Sequence, residues 1–229
     1  MKKIVAIIQA RMGSSRLPNK MMLSLHGKPI IEWVIRRVQK SKYIDEVVLA
    51  TSTNRENDIL VKYVERNFNI SIYRGSENNV LNRFYQAGKM ANATHVVRVC
   101  ADNPLIDGEE IDNLIDFYFS NSYDYVYNHM PKGNSYPDGL GAEIVSFKIL
   151  EELENSVTSK EEREHAFLHI SNNPEKYKIA TFEPNPEIAC PNLKFDIDTF
   201  EDYYYLSMVE FDIDITSKKL VQLFQGLER

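Results

Sequence analysis

The sequence predicts an α/β fold with a mainly parallel β-sheet and helices on both faces of that sheet. Apolar runs of strand length alternate with helical patterns over the first 128 residues. The strand-length runs are rich in β-branched residues, and helical segments carry their apolar residues on one face. In a βαβαβαβαβ order of this kind each helix returns the chain to the same end of the sheet, so successive strands are parallel and the crossovers are right-handed.

Local patterns predict the elements of this first half. Ile4–Ile8 has the length and composition of a buried strand. Pro29–Val38 is predicted to be a helix, because proline suits a first helical turn and the aliphatic residues that follow share one face. The helix predicted at Asp107–Ser120 begins with an aspartate that can cap it. The remaining predictions are the strands Glu46–Thr51, Ile70–Tyr73, His95–Val99 and Asp124–Tyr127 and the helices Glu56–Asn67 and Val80–Ala91.

After Asn128 the pattern changes. His129–Gly141 is rich in Gly, Pro, Asn and Asp and is predicted to be a long loop. The mixed elements that follow predict a small mixed lobe over the sheet edge, so that residues 1–229 form a single domain with a core at 1–128 and a lobe at 129–229. The predicted strands of the lobe are Glu143–Ser146, Lys178–Phe182 and Lys194–Ile197, and its predicted helices are Phe147–Leu153, Lys160–Ser171, Phe200–Val209 and Ser217–Leu227.

The charge of the chain is unevenly distributed. The whole chain has 27 Lys and Arg residues against 33 Asp and Glu residues, which gives a net charge of −6. Residues 1–40 nevertheless contain nine basic residues and one acidic residue, Glu32. An acidic protein with one basic region repels nucleic acid but suits a small, highly charged ligand, so we expect no nucleic-acid partner.

The sequence also predicts a cytoplasmic location without a membrane partner. The first apolar run is short and leads into a charged loop, so we expect no signal peptide. No stretch approaches the ~20 apolar residues that a membrane helix needs. The two cysteines, Cys100 and Cys190, match neither a metal-binding spacing nor a disulfide framework.

The segment QARMGSSRLPNK, residues 9–20, directly follows the first predicted strand. It places Arg11, Arg16 and Lys20 around Gly13 and Ser14. Gly and Ser allow a tight turn whose N–H groups can point at an anion, and three cations can neutralise a polyphosphate. The segment does not match the P-loop pattern, and a solvated basic surface loop is the alternative interpretation.

Aspartates follow predicted strands in two other parts of the chain. Asp102 follows the strand at His95–Val99, and Asp196 and Asp198 lie at the end of the strand at Lys194–Ile197. Carboxylates at the ends of separate strands can share a Mg²⁺ ion, which keeps its other positions for water and phosphate oxygens. Helix capping is the alternative role of Asp102 and Asp198, because each precedes a predicted helix.

The order of these motifs resembles that of the sugar-nucleotide cytidylyltransferases. The chain is similar to the acylneuraminate and 3-deoxy-manno-octulosonate cytidylyltransferases, and particularly to the spore-coat polysaccharide biosynthesis branch. Seven blocks in the same order are far more specific than any one of them. The blocks are IIQARMGSSRLPNK at residues 7–20, ATS at Ala50–Ser52, RGSENNVLNRFYQAGK at Arg74–Lys89, ADNPLID at Ala101–Asp107, YPDGLGAEIVS at Tyr136–Ser146, EREHAFLHI at Glu162–Ile170 and DIDTFED at Asp196–Asp202.

The resemblance implies a Rossmann-like nucleotidyltransferase fold, a GT-A-like three-layer sandwich, that binds CTP and Mg²⁺. It implies that the protein activates a sugar, sugar acid or polyol acceptor as a CMP or CDP conjugate, with release of pyrophosphate, for surface polysaccharide biosynthesis. Residues 1–128 would then bind the nucleotide, and residues 129–229 would hold the acceptor and the second metal carboxylate. The resemblance implies Arg11, Arg16, Lys20 and Asp102 as catalytic residues; Ala10, Arg11, Gly13, Ser14, Arg16, Lys20, Arg74, Gly75 and Cys100 as nucleotide-binding residues; Asp102 and Asp198 as metal ligands; and Tyr136, Asp138, Glu143, Glu164 and His165 as acceptor-binding residues.

Some positions depart from the family pattern. Gly141 stands where related chains often carry Asp, and Phe200 replaces a common Pro. Cys100 and Asn103 also differ from the ulosonate enzymes, in which a Gln two residues before the metal Asp helps to hold the nucleotide. These departures bear on the choice of acceptor and base and leave the phosphate and metal residues in place.

Other functions remain open at this point. A glycosyltransferase of similar topology could use Asp196 and Asp198 as a DxD-type metal pair, although a nucleotide sugar needs fewer cations than residues 9–20 supply. A transferase that uses GTP or another nucleotide, and a non-catalytic scaffold, are further alternatives. His165 could orient or deprotonate an acceptor hydroxyl, or it could be a helix residue that bonds a nearby loop. A homodimer is a further prediction.

Overall fold

The computed structural model describes residues 2–227. Their strands and helices agree with most of the predicted ones to within a few residues. The strands are β1 (Ile4–Gln9), β2 (Ser24–Leu25), β3 (Lys28–Pro29), β4 (Glu46–Ser52), β5 (Ser71–Gly75), β6 (His95–Cys100), β7 (Tyr125–Tyr127), β8 (Glu143–Ser146) and β9 (Ile179–Ala180). The helices are α1 (Ile30–Val38), α2 (Asp58–Asn67), α3 (Val80–Met90), α4 (Gly108–Ser120), α5 (Phe147–Ser156), α6 (Lys160–Glu164), α7 (Leu168–Asn172), α8 (Phe200–Ser207) and α9 (Ser217–Phe224).

The main sheet is mostly parallel, as predicted. Within residues 2–227 it has seven strands in the order β5-β4-β1-β6-β8-β7-β9. Strand β1 pairs in parallel with β4 and β6, and β4 pairs in parallel with β5. The carboxyl ends of these four strands therefore meet at one edge, which is where ligands bind in open α/β sheets.

Strand β8 is the exception to the parallel order. It pairs antiparallel with both β6 and β7, and so lies inside the sheet rather than in a lobe over its edge. The reason is the connection from β7, which is the irregular segment 128–142 instead of a crossover helix, so the chain returns in the opposite direction. This insertion places Glu143 directly opposite Arg98 of β6.

Helices cover both faces of the sheet, as the strand pattern predicts. Alternate residues of β1 point to opposite faces, and the five residues Ile4–Ile8 are all buried. Ala6 and Ile8 pack in one core cluster that includes buried residues of α1, α4, α8 and α9. Val5 and Ile7 pack in a second cluster that includes residues of α3, α5 and α7. No helix among residues 2–227 has the length and hydropathy needed to cross a membrane.

Two predicted elements of the second half are wrong. The helix predicted at Lys160–Ser171 is two helices, because His165 adopts an extended conformation between them. The segment Lys194–Ile197 joins no strand ladder; it forms one isolated bridge to Asp138, and the Ile197 N–H donates to the carbonyl of Asp102 at 2.8 Å. This last bond fixes the end of the segment beside the end of β6.

Candidate active site

The basic motif leaves β1 at the centre of the sheet and folds back on itself. The N–H groups of Ser14 and Asn19 both donate to the carbonyl of Met12, each at 3.0 Å. The Met12 N–H in turn donates to the buried side chain of Asn57 at 2.8 Å. Asn19 has a φ of 61°, a left-handed conformation that asparagine tolerates better than most residues. The motif is therefore an ordered loop tied to the sheet.

Lys20 occupies the meeting point of the loop and the two predicted metal carboxylates. Its ammonium donates to the carbonyl of Ile197 at 2.8 Å, to Asp198 at 3.2 Å and to Asp102 at 3.4 Å. Arg16 pairs with the other oxygen of Asp198 at 2.8 Å. Four charged residues that the sequence separates by up to 182 positions thus converge in space. The prediction that the basic loop and the two aspartates meet is confirmed by these distances.

These side chains line a cavity of about 210 Å³, here called the first cavity. Its lining has four cations, Arg11, Arg16, Lys20 and Arg98, against the two carboxylates. This excess of positive charge suits a polyanion. The predicted residues that line it are Ala10, Arg11, Ser14, Arg16, Lys20, Cys100, Asp102 and Asp198, and the lining residues that were not predicted are Gln9, Ser15, Met21 and Arg98.

A second cavity of about 440 Å³ adjoins the first, and Arg98 and Cys100 line both. The other walls come from β7 and β8, from the loop after β7 and from the two short helices α6 and α7. Two predicted acceptor residues, Glu143 and His165, line this second cavity. The residues missed there are Arg98, Tyr125, His129, Met130, Glu161, Phe167, Leu168 and Ser171.

A buried network lies between the cavities. The guanidinium of Arg98 pairs with Glu143, which also accepts a hydrogen bond from the hydroxyl of Tyr125. Burial alone would raise the pKa of Glu143, but Arg98 and then His129 outweigh it, so the pKa lies below its ordinary value. Burial lowers the pKa of His129, whose ring is therefore neutral at pH 7. The network consequently holds one fixed ion pair.

Cys100 contributes a neutral wall to both cavities. Burial raises the pKa of its thiol to about 12, and the opposing influence of Arg98 is smaller. Burial therefore keeps the thiol protonated at neutral pH. Its small, uncharged side chain leaves room for a ligand between Arg98 and Asp102.

Three predicted nucleotide-binding residues do not line the first cavity. Arg74, at the end of β5, donates hydrogen bonds to the carbonyls of Ser52 and Asn54 and forms an ion pair with Asp58 at 2.8 Å. Its neighbour Gly75 shares this edge position, and the carbonyl of Gly75 accepts from the N–H of Thr53. Both residues therefore lie at the end of β5 and outside the first cavity, and their contact with the nucleotide stays a prediction.

Gly13 lies in the loop but does not line the first cavity. A Cβ atom at Gly13 would overlap a carboxylate oxygen of Glu56, whose exposed side chain would have to move aside. Arg11 does line the cavity, and it pairs at 3.2 Å with Glu77, which also accepts bonds from Ser52 and Asn54. The loop is thus connected to the ends of β4 and β5 through its own charged side chain.

Three predicted acceptor residues also lie outside the second cavity. Tyr136 is fully buried and donates to Glu110 of α4 at 2.7 Å, so no acceptor reaches its hydroxyl through either cavity. Glu164 is exposed, and it is Glu161, one helical turn earlier, that lines the cavity. Asp138 lies beside the segment that carries Asp198, where burial and then the charge of Asp196 raise its pKa to about 6.

His165 has a position that neither alternative fully described. It is exposed, it ends α6, and its carbonyl accepts from the N–H of Leu168 at 2.9 Å. Its ring lines the second cavity, so an acceptor hydroxyl can approach it. The break between α6 and α7 is what brings the ring to this wall.

The sequence of the chain matches known proteins over nearly its whole length. The profile of a family described as "Cytidylyltransferase" matches residues 5–228. The chain belongs to the cytidylyltransferase family. This finding confirms the resemblance that the seven ordered blocks indicated.

Individual relatives agree with this assignment. The chain is 32% identical over 227 residues to the uncharacterized protein MJ1063 of Methanocaldococcus jannaschii, a match that covers 99% of the chain and 91% of that protein. It is 32% identical over 209 residues to the spore coat polysaccharide biosynthesis protein SpsF of Bacillus subtilis, covering 89% of the chain and 84% of SpsF. A cytidylyltransferase structure from Leptospira borgpetersenii superposes with a TM-score of 0.89 at 29% identity, covering 98% of the chain and 94% of that structure. The predicted Rossmann-like nucleotidyltransferase fold is therefore confirmed.

Proposed function

We propose that this chain transfers a cytidylyl group from CTP to a hydroxyl oxygen of a sugar, sugar acid or polyol, with release of pyrophosphate, in surface polysaccharide biosynthesis. One observation carries the proposal: Lys20, Arg16, Asp102 and Asp198 converge in a cation-rich cavity that adjoins a second cavity. The first cavity takes the triphosphate and the second takes the acceptor. The α-phosphorus then lies between an attacking oxygen on one side and the departing pyrophosphate on the other.

The basic loop stabilises the leaving group. Arg11, Arg16 and Lys20 face the first cavity, so their charges act on the oxygens of the β- and γ-phosphates. Ala10 and Ser14 line the same wall and offer backbone or hydroxyl contacts. Because ion pairs with Glu77, Asp102 and Asp198 orient these cations before the triphosphate binds, their charges are directed at the pyrophosphate that leaves.

A Mg²⁺ ion fits the donor set of Asp102 and Asp198. Among residues 2–227 no group of three His, Cys, Asp or Glu side chains is arranged to hold a metal by itself. Two carboxylates suit Mg²⁺ nonetheless, because this ion commonly binds through one or two carboxylates and takes its remaining oxygens from phosphates and water. When bound, the ion supplies charge neutralisation on the phosphate oxygens.

The acceptor side uses the wall of the second cavity. His165 reaches that wall from the break between α6 and α7, where it can accept the proton of the attacking hydroxyl or orient that hydroxyl. Glu143 holds Arg98 and Tyr125 and so shapes the floor between the cavities. Cytoplasmic action and a homodimer remain predictions of the sequence.

The glycosyltransferase alternative is less well supported. A DxD pair needs both aspartates at one site, yet Asp196 pairs with Lys194 at 3.1 Å and does not line the first cavity, whereas Asp198 does. The cations around the first cavity also exceed what a diphosphate sugar requires.

A pyrophosphate-release assay tests the proposal. Purified protein, Mg²⁺ and each of CTP, UTP, GTP and ATP are combined in turn with neutral sugars, polyols and sugar acids. We expect release with CTP and one class of acceptor. Pyrophosphate release with GTP alone would show that the substrate is GTP rather than CTP. Sugar transfer from a nucleotide sugar, with no triphosphate consumed, would support the glycosyltransferase function instead.

Variants tie the activity to the site. Lys20→Ala should abolish most of the release, whereas Lys28→Ala should leave it unchanged. Lys28 is a suitable control because it lies in β3, outside both cavities, and its half-buried side chain only approaches Glu32, at 3.8 Å. Equal loss in both variants would indicate a general effect of lost positive charge rather than a site.

A further inference from the structure

Arg98 is a charged residue in the middle of an apolar strand. Its neighbours Val97 and Val99 are fully buried, and the sequence motifs predict no role for Arg98. The structure places its guanidinium at the boundary between the first and second cavities. Of the charged residues described, it is the one that lines both.

Two of the three guanidinium nitrogens of Arg98 have hydrogen-bond partners. Nε donates to the side chain of Gln9 at 3.3 Å, and Nη1 pairs with Glu143. Nη2 donates no hydrogen bond to any described residue. It is also not one of the described nitrogens that are both fully buried and without a partner. Since the side chain is 17% exposed and lines the cavities, Nη2 is the nitrogen that remains for a ligand there.

A purely structural role accounts poorly for this arrangement. Arg98 and Glu143 are opposite each other in the register of β6 and β8, so the pair could serve only to align these strands. Removing two charges from water costs more than placing two apolar residues of similar size, and such replacements are often neutral or stabilising. An ion pair that leaves one donor facing two adjoining cavities fits a role in binding.

We propose that Arg98 is a catalytic residue that donates from Nη2 to a non-bridging oxygen of the α-phosphoryl group, and that Glu143 is the residue that positions it. The inference rests on the proposed function. As the acceptor oxygen forms its bond to the α-phosphorus, the bond to pyrophosphate breaks and pyrophosphate leaves with the electron pair. The hydroxyl proton passes to His165, or to water where His165 only orients the hydroxyl. Charge that accumulates on the α-phosphoryl oxygens is stabilised by the guanidinium at the boundary.

Binding of CMP and of cytidine tests this contact without an acceptor. CMP has only the α-phosphate, and cytidine has none, so the ratio of their affinities isolates the phosphate contact. Calorimetry in Mg²⁺-free buffer compares the wild type with Arg98→Lys and with Arg98→Met/Glu143→Gln. We expect each variant to lose roughly tenfold or more in CMP affinity, the size of one charge-assisted hydrogen bond, and to keep its affinity for cytidine.

The variants are chosen so that misfolding is recognised. Arg98→Met alone would leave Glu143 buried without its ion pair, and the double variant removes that charge while Tyr125 keeps an acceptor. Thermal unfolding is measured for each protein. Arg36→Met is the matched control, because this arginine is half exposed on α1 and bonds Glu32 of the same helix.

Turnover gives the second readout. With an acceptor found in the pyrophosphate assay, Arg98→Lys should lower kcat by roughly 100-fold to 1,000-fold, the usual loss for one preorganised donor, with a smaller change in the KM for CTP. Glu143→Gln should lower kcat less, because the guanidinium keeps its charge and loses only its orientation.

The outcomes separate the two proposals. A stably folded Arg98→Lys protein with wild-type kcat and a wild-type ratio of CMP to cytidine affinity would show that the arginine only pairs strands, and the proposed function would stand. A wild-type protein that binds neither CTP nor CMP would overturn the proposed function, and the role of Arg98 with it.

Discussion

Replacing Lys20 with methionine removes the charge at the centre of the site while nearly preserving the length of the side chain. The ammonium donates to three groups, but Asp102 and Asp198 are partly exposed, so solvent can replace much of what those two bonds contribute. The hydrogen bond to the Ile197 carbonyl, at 2.8 Å, is buried, so the variant loses its whole contribution of about 1.5–3 kcal/mol to the free energy of unfolding. With a small contribution from the carboxylates, we expect the free energy of unfolding to fall by about 2–4 kcal/mol.

For a chain of this size that loss corresponds to a decrease in Tm of roughly 5–10 °C. Circular dichroism melts of Lys20→Met and of Lys28→Met in Mg²⁺-free buffer measure it, and the control should melt with the wild type. Millimolar Mg²⁺ should restore part of the loss, because two adjacent carboxylates without an ammonium between them have more to gain from a divalent cation. A shift below about 1 °C, or a gain from Mg²⁺ no larger than that of the wild type, would refute the reasoning about how Lys20 holds the two aspartates.

Three further predictions follow from particular contacts. Asp102→Asn keeps the size of the side chain but removes its charge, and should lower the rate of pyrophosphate release by roughly 100-fold or more, whereas Asp116→Asn on the exposed face of α4 should not. Gly141→Asp introduces the residue that related chains often carry, and a Cβ there would overlap the backbone carbonyl of Asn128. This variant should therefore lower the free energy of unfolding, measured in a urea melt, by roughly 1–3 kcal/mol. A variant as stable as the wild type would contradict this. The pKa of Asp138 is raised to about 6 in the folded protein, so its favourable contribution to the free energy of unfolding is present below about pH 4 and is lost as pH rises through 6. At pH 7 Asp138→Asn should therefore be more stable than the wild type by about 1 kcal/mol, a value already reduced for solvent screening. At pH 4 the variant should be no more stable than the wild type.

The comparison of Gly141 with its relatives illustrates how structure changes the meaning of a sequence difference. From the sequence, a glycine in place of aspartate bears on the choice of acceptor. In the structure, Gly141 packs against Asn128, whose side chain accepts a bond from the N–H of Ala142 at 2.9 Å. The structure therefore links the glycine to backbone packing at the start of β8, and its bearing on the acceptor stays a prediction.

The sequence by itself determined the elements whose signals are local. The β-branched run of β1, the aliphatic face of α1 and the cap that Asp107 provides to α4 all depend on neighbours within a few residues, and all are present. The basic residues of the loop after β1 and the position of Asp102 after β6 follow from the same local order. Charge and hydrophobic periodicity predict such features because these patterns extend over a single strand or helical turn.

The tertiary structure decided how distant segments meet. Asp198 reaches Asp102 because the Ile197 N–H bonds the Asp102 carbonyl, and Glu143 reaches Arg98 because β8 inserts antiparallel beside β6. Tyr136, by contrast, was expected at the acceptor site and is buried against Glu110. Such pairings join residues tens of positions apart through hydrogen bonds and packing, so they leave no period in the sequence. The charged Arg98 within an apolar strand is a local sign of the role that we propose for it.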